Sequence, residues 1–324
     1  SLGLTDAGLL YAWGAGSWQT YGQLGTGDIT ARSSPVTVTG GITNWSSVAA
    51  GYKHSLGVTD TGALYAWGSA SQGRLGTNNE INKSSPVTVA GGITNWSSAA
   101  GGEYHSLGLT DTGVLYSWGS GLDGRLGTGD TISRSSPVTV AGGITNWSSI
   151  AAGYEHSLGL TDSGVLYVWG HNDRGQLGTG DRTDKSSPVT VLGGITNWSL
   201  IGGGERHSLG LTDTGVLYAW GLGFAGLLGT NDTIDRSSPV TVVGGITNWS
   251  SVAVGQGSYH NLGLTDTGVL YAWGIGGEGQ LGTGDSIDRS SPTTVVGGIT
   301  NWSFIAADYN LSFAISKPTV NKTL

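Results

Sequence analysis

The sequence predicts an all-β fold, a β-propeller of four-stranded antiparallel blades, and three observations carry that prediction. A unit of about fifty residues is written six times, a period that signals a propeller, solenoid or array. Each unit holds several short stretches with the strand period, separated by Gly-rich turns, and the chain contains 60 Gly in 324 residues. No stretch carries helical periodicity or a heptad. The repeat is marked by two tryptophans. The Trp of a Tyr-x-Trp-Gly box recurs at Trp13, Trp67, Trp118, Trp169, Trp220 and Trp273, and the Trp of Asn-Trp-Ser at Trp45, Trp96, Trp147, Trp198, Trp249 and Trp302. Only Trp18 stands outside this pattern.

Residues 96–146 serve as the pattern. Trp96 to Gly101 is a small-residue segment leading to Glu103, Tyr104 and His105. Ser106 to Thr110 and Val114 to Trp118 alternate as strands, and the Asp111-Thr112-Gly113 turn between them suits a hairpin. A Gly-rich loop follows, with Leu126 as its fixed apolar residue. Pro137 then opens a last strand, where no ladder donor is lost. Four short antiparallel strands per unit is the content of one blade. A blade cannot bury either face alone, so the repeated Trp, Tyr and Leu are expected to fill the wedge between neighbours.

His105 to Gly113, Leu115 to Gly119, Gly124 to Gly127 and Ser136 to Val138 resemble the repeat of the regulator of chromosome condensation family. The resemblance covers nearly the whole chain and implies a β-propeller, in a family whose members usually have seven blades. The Gly-His and Trp-Asp signature of WD-type propellers is absent. One domain is expected over residues 1–316, with repeats starting near 1, 45, 96, 147, 198 and 249 and a closing segment at 302–316; residues 317–324 read as an exit linker or tail. Six Tyr-x-Trp-Gly boxes favour six blades, with the ring closed by terminal strands sharing a blade. Seven copies of the second strand, from Leu2 to Leu311, leave open a partial seventh.

Composition bounds the chemistry. With no Cys there are no disulfides, thiolate metal sites or Cys nucleophiles; with no Met the chain is expected to belong to a longer or processed product. No apolar run is long enough to span a bilayer. The net charge of −8 disfavours nucleic acid as a partner. His54, His105, His156, His207 and His260 recur at one position, with Asn310 in the last copy, and read as hydrogen-bonding residues of the blade rather than a metal ring. The hairpin Asp residues, such as Asp60 and Asp111, are explained by their turns. Asp28, Asp130, Asp181, Asp232 and Asp285 each precede a base by four residues, which reads as ion pairing within a loop and not as a calcium loop. The Gly-rich loops lack a phosphate-binding ending, and no nucleophile elbow occurs. Asn-Trp-Ser matches a glycosylation sequon, but the repeat fixes it and packing explains it first. The expectation is therefore no enzyme, no cofactor and no metal.

Specificity is sought where the copies differ: the loop after Tyr-x-Trp-Gly, the stretch before the repeated His, and the ion-pair segment. These zones supply the candidate protein-binding residues Trp18, Tyr21, Tyr52, Tyr104, Tyr154, His171, Arg174, Arg206, Phe224, Leu227 and Tyr259. The reading is a non-enzymatic interaction or structural module with protein partners, in an extracellular or particle-associated setting rather than a nuclear one, as part of a larger assembly. One alternative, implied by the resemblance, is guanine-nucleotide exchange coupled to chromatin; the insertions and basic tail on which that activity relies are missing here. Another is a secreted protein inhibitor of an enzyme.

Overall fold

The structure is a computed structural model, and it describes residues 1–14, 21–255 and 257–317. Its regular elements are strands, apart from single 3-10 turns at Ser71–Gly73, Leu122–Gly124 and Phe224–Gly226. The chain divides into two compact units, Ser1–Asp173 with Thr183–Thr190, and Arg174–Arg182 with Val191–Leu324.

The first unit opens with a three-stranded sheet, β1 (Leu2–Leu4), β2 (Leu10–Gly14) and β3 (Arg32–Thr37). Three four-stranded sheets follow. They are β4 (Trp45–Ala50), β5 (His54–Thr59), β6 (Leu64–Gly68) and β7 (Lys83–Thr88); β8 (Trp96–Gly101), β9 (His105–Thr110), β10 (Leu115–Gly119) and β11 (Arg134–Thr139); and β12 (Trp147–Ala152), β13 (His156–Thr161), β14 (Leu166–Gly170) and β15 (Lys185–Thr190). The second unit holds two more: β16 (Trp198–Gly203), β17 (His207–Thr212), β18 (Leu217–Gly221) and β19 (Arg236–Thr241), then β20 (Trp249–Val254), β21 (His260–Thr265), β22 (Leu270–Gly274) and β23 (Arg289–Thr294). A two-stranded sheet, β24 (Trp302–Asp308) and β25 (Leu311–Ser316), completes it.

Strands neighbour one another in chain order within every sheet, and each pairing is antiparallel, as in β8 to β11. Six sheets thus carry a Tyr-x-Trp-Gly strand, and β24–β25 is a partial seventh blade. Among the described residues, β1 pairs with β2, and β24 pairs with β25.

In the four-stranded sheets the second strand is buried on both faces; every residue of β9 is buried. The fourth strand is the outer one and starts earlier than its Pro suggests, at Arg134 in β11. Its ladder with β10 breaks between Val138 and Arg134, so Pro137 lies where no donor is required. The tryptophans build the core. Trp96 meets Tyr116 edge-on at 5.3 Å and lies 6.0 Å from Trp118, an arrangement favoured by the ring quadrupoles. Gly108 permits this, since a Cβ there would stand 2.5 Å from the Trp96 ring. Trp118 is fully buried, and its Nε1–H donates to the Arg74 carbonyl of the preceding blade at 2.9 Å. Trp67, Trp169, Trp220 and Trp273 make the same bond to the carbonyls of Gln23, Arg125, Gln176 and Leu227. In each of these five blades one indole is therefore a rivet to the blade before it.

Candidate functional site

Antiparallel order decides which loops share an end of a sheet. The turn from first to second strand and the loop from third to fourth leave from one end; the central hairpin and the passage to the next blade leave from the other. The residues before the repeated His lie on the first of these turns. The loop after Tyr-x-Trp-Gly and the ion-pair segment lie on the second. All three variable zones therefore occupy one end of each blade.

The opposite end repeats one contact in five blades. The side-chain amides of Asn44, Asn95, Asn146, Asn197 and Asn248 donate to the carboxylates of Asp60, Asp111, Asp162, Asp213 and Asp266. The Asn of Asn-Trp-Ser and the Asp of the hairpin thus hold each other.

The recurring histidines are buried. His54 Nε2 lies 2.8 Å from Ser106 Oγ, His105 Nε2 2.9 Å from Ser157 Oγ, His207 Nε2 2.8 Å from Asn261 Oδ1, and His260 Nε2 2.8 Å from Ser312 Oγ. Ser106 Oγ already donates to the Arg74 carbonyl, so it accepts from His54 Nε2–H, which fixes the neutral tautomer. Burial pushes the His54 pKa down to about 3 and those of His207 and His260 to about 4. Each of these imidazoles reaches the second strand of the following blade. In the last copy the pairing of β24 with β25 gives the histidine position to Leu311 and not to Asn310, since Leu311 stands nine residues after Trp302 as His156 stands nine after Trp147.

In the loops, Arg32, Arg134, Arg236 and Arg289 pair with Asp28, Asp130, Asp232 and Asp285 at 2.6–2.8 Å. Solvent screens these exposed pairs, so they add little to stability. The same acids cap the turn: Asp130 Oδ1 accepts from Ile132 N–H, the leading reason its pKa is lowered.

Two side-chain clusters stand out in the first unit. Glu103 is buried, and its carboxylate receives the Tyr104 and Tyr154 hydroxyls. Both phenols are pushed up, first by burial and then by that carboxylate. Tyr52 meets Tyr154 edge-on at 5.4 Å, Lys53 Nζ lies 5.3 Å from the Tyr52 ring and 5.6 Å from the Tyr21 ring, and the Arg74 guanidinium stacks 4.2 Å from Tyr104. The second cluster is Arg125, 2.8 Å from Asp123 and 3.3 Å from Glu155, with His171 Nδ1 3.1 Å from Glu155. The bond to Glu155 raises the His171 pKa against the effect of burial. Asp123, Glu155 and His171 are close enough to ligate one ion, but the Arg125 cation already sits on two of the three.

In the second unit Asp235 receives Arg174 at 3.6 Å and Arg182 at 3.3 Å, beside the exposed Phe224, in a shallow groove that Asp288 also lines. The Tyr259 hydroxyl donates to Glu205, and Arg206 is half-buried. Leu227 does not join this surface. It is fully buried, because it follows the 3-10 turn at the position that faces the next blade, where Arg74 and Arg125 are also buried. Trp18 lies outside the described residues. Sequence reasoning missed Arg74, Glu103 and Arg125, long polar side chains taken into the surface clusters. It also missed a row of exposed apolar residues, Ile81, Ile132, Ile234 and Ile287 at one repeat position, together with Ile29 and Leu122. Their recurrence in a turn, out of any strand alternation, was the available signal.

A family model described as an RCC1-like domain matches residues 1–315. The chain is 36% identical over 293 residues to the ultraviolet-B receptor UVR8 of Arabidopsis thaliana, covering 88% of this chain and 65% of that protein. It is 34% identical over 307 residues to the human E3 ubiquitin-protein ligase HERC2, covering 91% of this chain and 6% of that protein. The chain thus spans less than two thirds of the length of these relatives. The structure superposes on yeast RCC1 (Prp20), solved bound to Kap60, with a TM-score of 0.83 at 22% identity, covering 98% of this chain and 78% of that one.

Proposed function

Since the chain belongs to the RCC1-like domain family, we propose that it is a non-enzymatic protein-interaction module that docks a protein partner on the variable end of its blades. One observation carries this reading. Side-chain variation is gathered on the turns and loops of one blade end, while the other end repeats a single Asn–Asp bond. The varied end also has the composition of binding surfaces, with Tyr52 and Phe224 exposed and Arg174 and Lys53 beside them. The yeast relative, solved in complex with Kap60, supports a protein as the class of partner.

The test is recovery of crosslinked partners from the native source by the tagged full chain. The variant Tyr52→Ala with Phe224→Ala is expected to lower recovery of a specific partner about tenfold or more. Thr112→Lys and Thr214→Lys, at exposed hairpin tips of the opposite end, are expected to leave it unchanged. A partner lost equally from both kinds of variant sinks the proposal.

A further inference from the structure

The residue just before the repeated Arg or Lys of the ion-pair segment holds the loop after Tyr-x-Trp-Gly in its own repeat. Asn82 Oδ1 accepts from the Ala70 N–H at 2.9 Å, and Ser133 Oγ from the Gly121 N–H at 3.2 Å. Asp184, Asp235 and Asp288 accept in the same way, through Oδ1, from the N–H groups of Asn172, Gly223 and Gly276 at 2.8, 3.0 and 2.9 Å. Asn82 and Ser133 show that this turn needs an oxygen and not a charge. The last three copies nevertheless carry a carboxylate, whose second oxygen the turn does not use.

What meets that second oxygen differs between repeats. Asp235 Oδ2 receives Arg174 at 3.6 Å and Arg182 at 3.3 Å, both from the preceding repeat. One repeat later the positions of Arg174 and Arg182 are Ala225 and Thr233. These two line the shallow groove of the second unit together with Phe224, Asp235 and Asp288. Asp288 is exposed and has no cation partner among the described residues. Phe224, which stands where the preceding repeat has Asp173, is 57% exposed. The groove therefore keeps the acid of the preceding contact, lacks both of its bases and adds an aromatic face. An exposed ring beside a carboxylate suits one kind of side chain. A guanidinium can lie flat on the ring while its edge donates to the carboxylate, which a lysine ammonium cannot do. The chain itself does something similar at Arg74, which stacks 4.2 Å from the Tyr104 ring and donates to the Glu103 carbonyl at 2.7 Å.

Building on the reading of the variable end as a docking surface, we propose that this groove takes an arginine side chain of the protein partner. Its guanidinium pairs with Asp288 as Arg182 pairs with Asp235, and its plane rests on Phe224. The short side chains of Ala225 and Thr233 leave open the place that two arginines of this chain fill one repeat earlier.

The test is a titration of the isotope-labelled full chain with the peptide acetyl-Gly-Arg-Gly-amide at low ionic strength, read by amide chemical shifts. Saturable shifts are expected at Phe224, Ala225 and Gly276, and none with acetyl-Gly-Gln-Gly-amide. Asp288→Asn keeps an acceptor for the Gly276 N–H, as Asn82 does for Ala70, and removes only the charge. It is expected to weaken the arginine peptide about fivefold or more. Thr233→Arg returns the base that Arg182 supplies one repeat earlier, so it should occupy Asp288 from within the chain and weaken the peptide to a similar extent. Absent saturation, equal shifts with the Gln peptide, or unchanged affinity in Asp288→Asn overturns the proposal. In the crosslinking assay Asp288→Asn is expected to lower recovery of the partner that Tyr52→Ala with Phe224→Ala loses. Full recovery with Asp288→Asn, while that double variant still loses the partner, overturns the arginine site and leaves docking at the variable end standing.

Discussion

His54, His207 and His260 each give one ring N–H to an oxygen of the next blade and are held neutral by burial. That makes them acid-sensitive joints. In the unfolded chain a histidine titrates near 6.5. In the folded chain these groups stay neutral down to about 4 or about 3. The unfolded state therefore binds more protons in between, so their contribution is complete above about pH 6.5 and is lost as pH falls from there. At pH 5 each buried histidine costs on the order of 2 kcal/mol relative to neutral pH. Thermal melts should show Tm falling steadily from pH 7 to pH 4.5; a flat Tm over that range contradicts the assignment. The paired carboxylates, whose pKa values are lowered, act only at lower pH and do not confuse the window. The indoles give a second check. Trp118→Phe removes a buried donor and leaves a gap, at a cost of about 2–4 kcal/mol, whereas half-buried Trp13→Phe should cost less than about 1 kcal/mol. Urea unfolding of the two variants measures the difference, and equal losses would refute the rivet role.

At the scale of the blade, the second strand of each four-stranded sheet carries Gly where the first-strand Trp crosses it. Gly108→Ala would set a Cβ 2.5 Å from Trp96 and 3.0 Å from Trp118, two rings that are themselves packed. The expected loss is about 3 kcal/mol. Gly143→Ala meets nothing within 4 Å, and its cost is only that of a left-handed φ of 67°, about 1 kcal/mol. Chemical denaturation in which Gly143→Ala proves the more damaging would overturn the packing account. Most of this element was legible in the sequence, because strand alternation, hairpin Asp-x-Gly and the two Trp recur with fixed spacing. The failures share a cause. Phe224 and Leu227 are apolar residues three apart in one loop, and only the handedness of the 3-10 turn sends one outward and the other into the core. Asn310 was aligned by its neighbours, while ladder register moved Leu311 into the histidine position. Arg74 and Arg125 carry charge, yet each aliphatic stem is buried and each guanidinium finds oxygen acceptors, so composition gave no sign of their burial.

For the molecule as a surface, the isoleucines decide between packing and recognition. Ile81, Ile132, Ile234 and Ile287 are 58–63% exposed, each two residues after an Asn or Asp whose side chain accepts its amide. The turn requires the amide and not the side chain. Thr30 makes the same bond in the first copy, and Thr183 takes the position in the fourth. A β-branched polar residue thus satisfies the backbone equally well, and an exposed Ile gains little from burial. Yet the chain, with only 11% charged residues, keeps Ile there in most copies, at the blade end that also bears Tyr52 and Phe224. Replacing Ile81, Ile132, Ile234 and Ile287 by Thr together should change stability by no more than about 0.5 kcal/mol per site. The same variant should elute earlier in hydrophobic-interaction chromatography and lose the partner that Tyr52→Ala with Phe224→Ala loses. A drop of several degrees in Tm would instead make the row part of the core, and retained binding would restrict docking to the aromatic and charged residues.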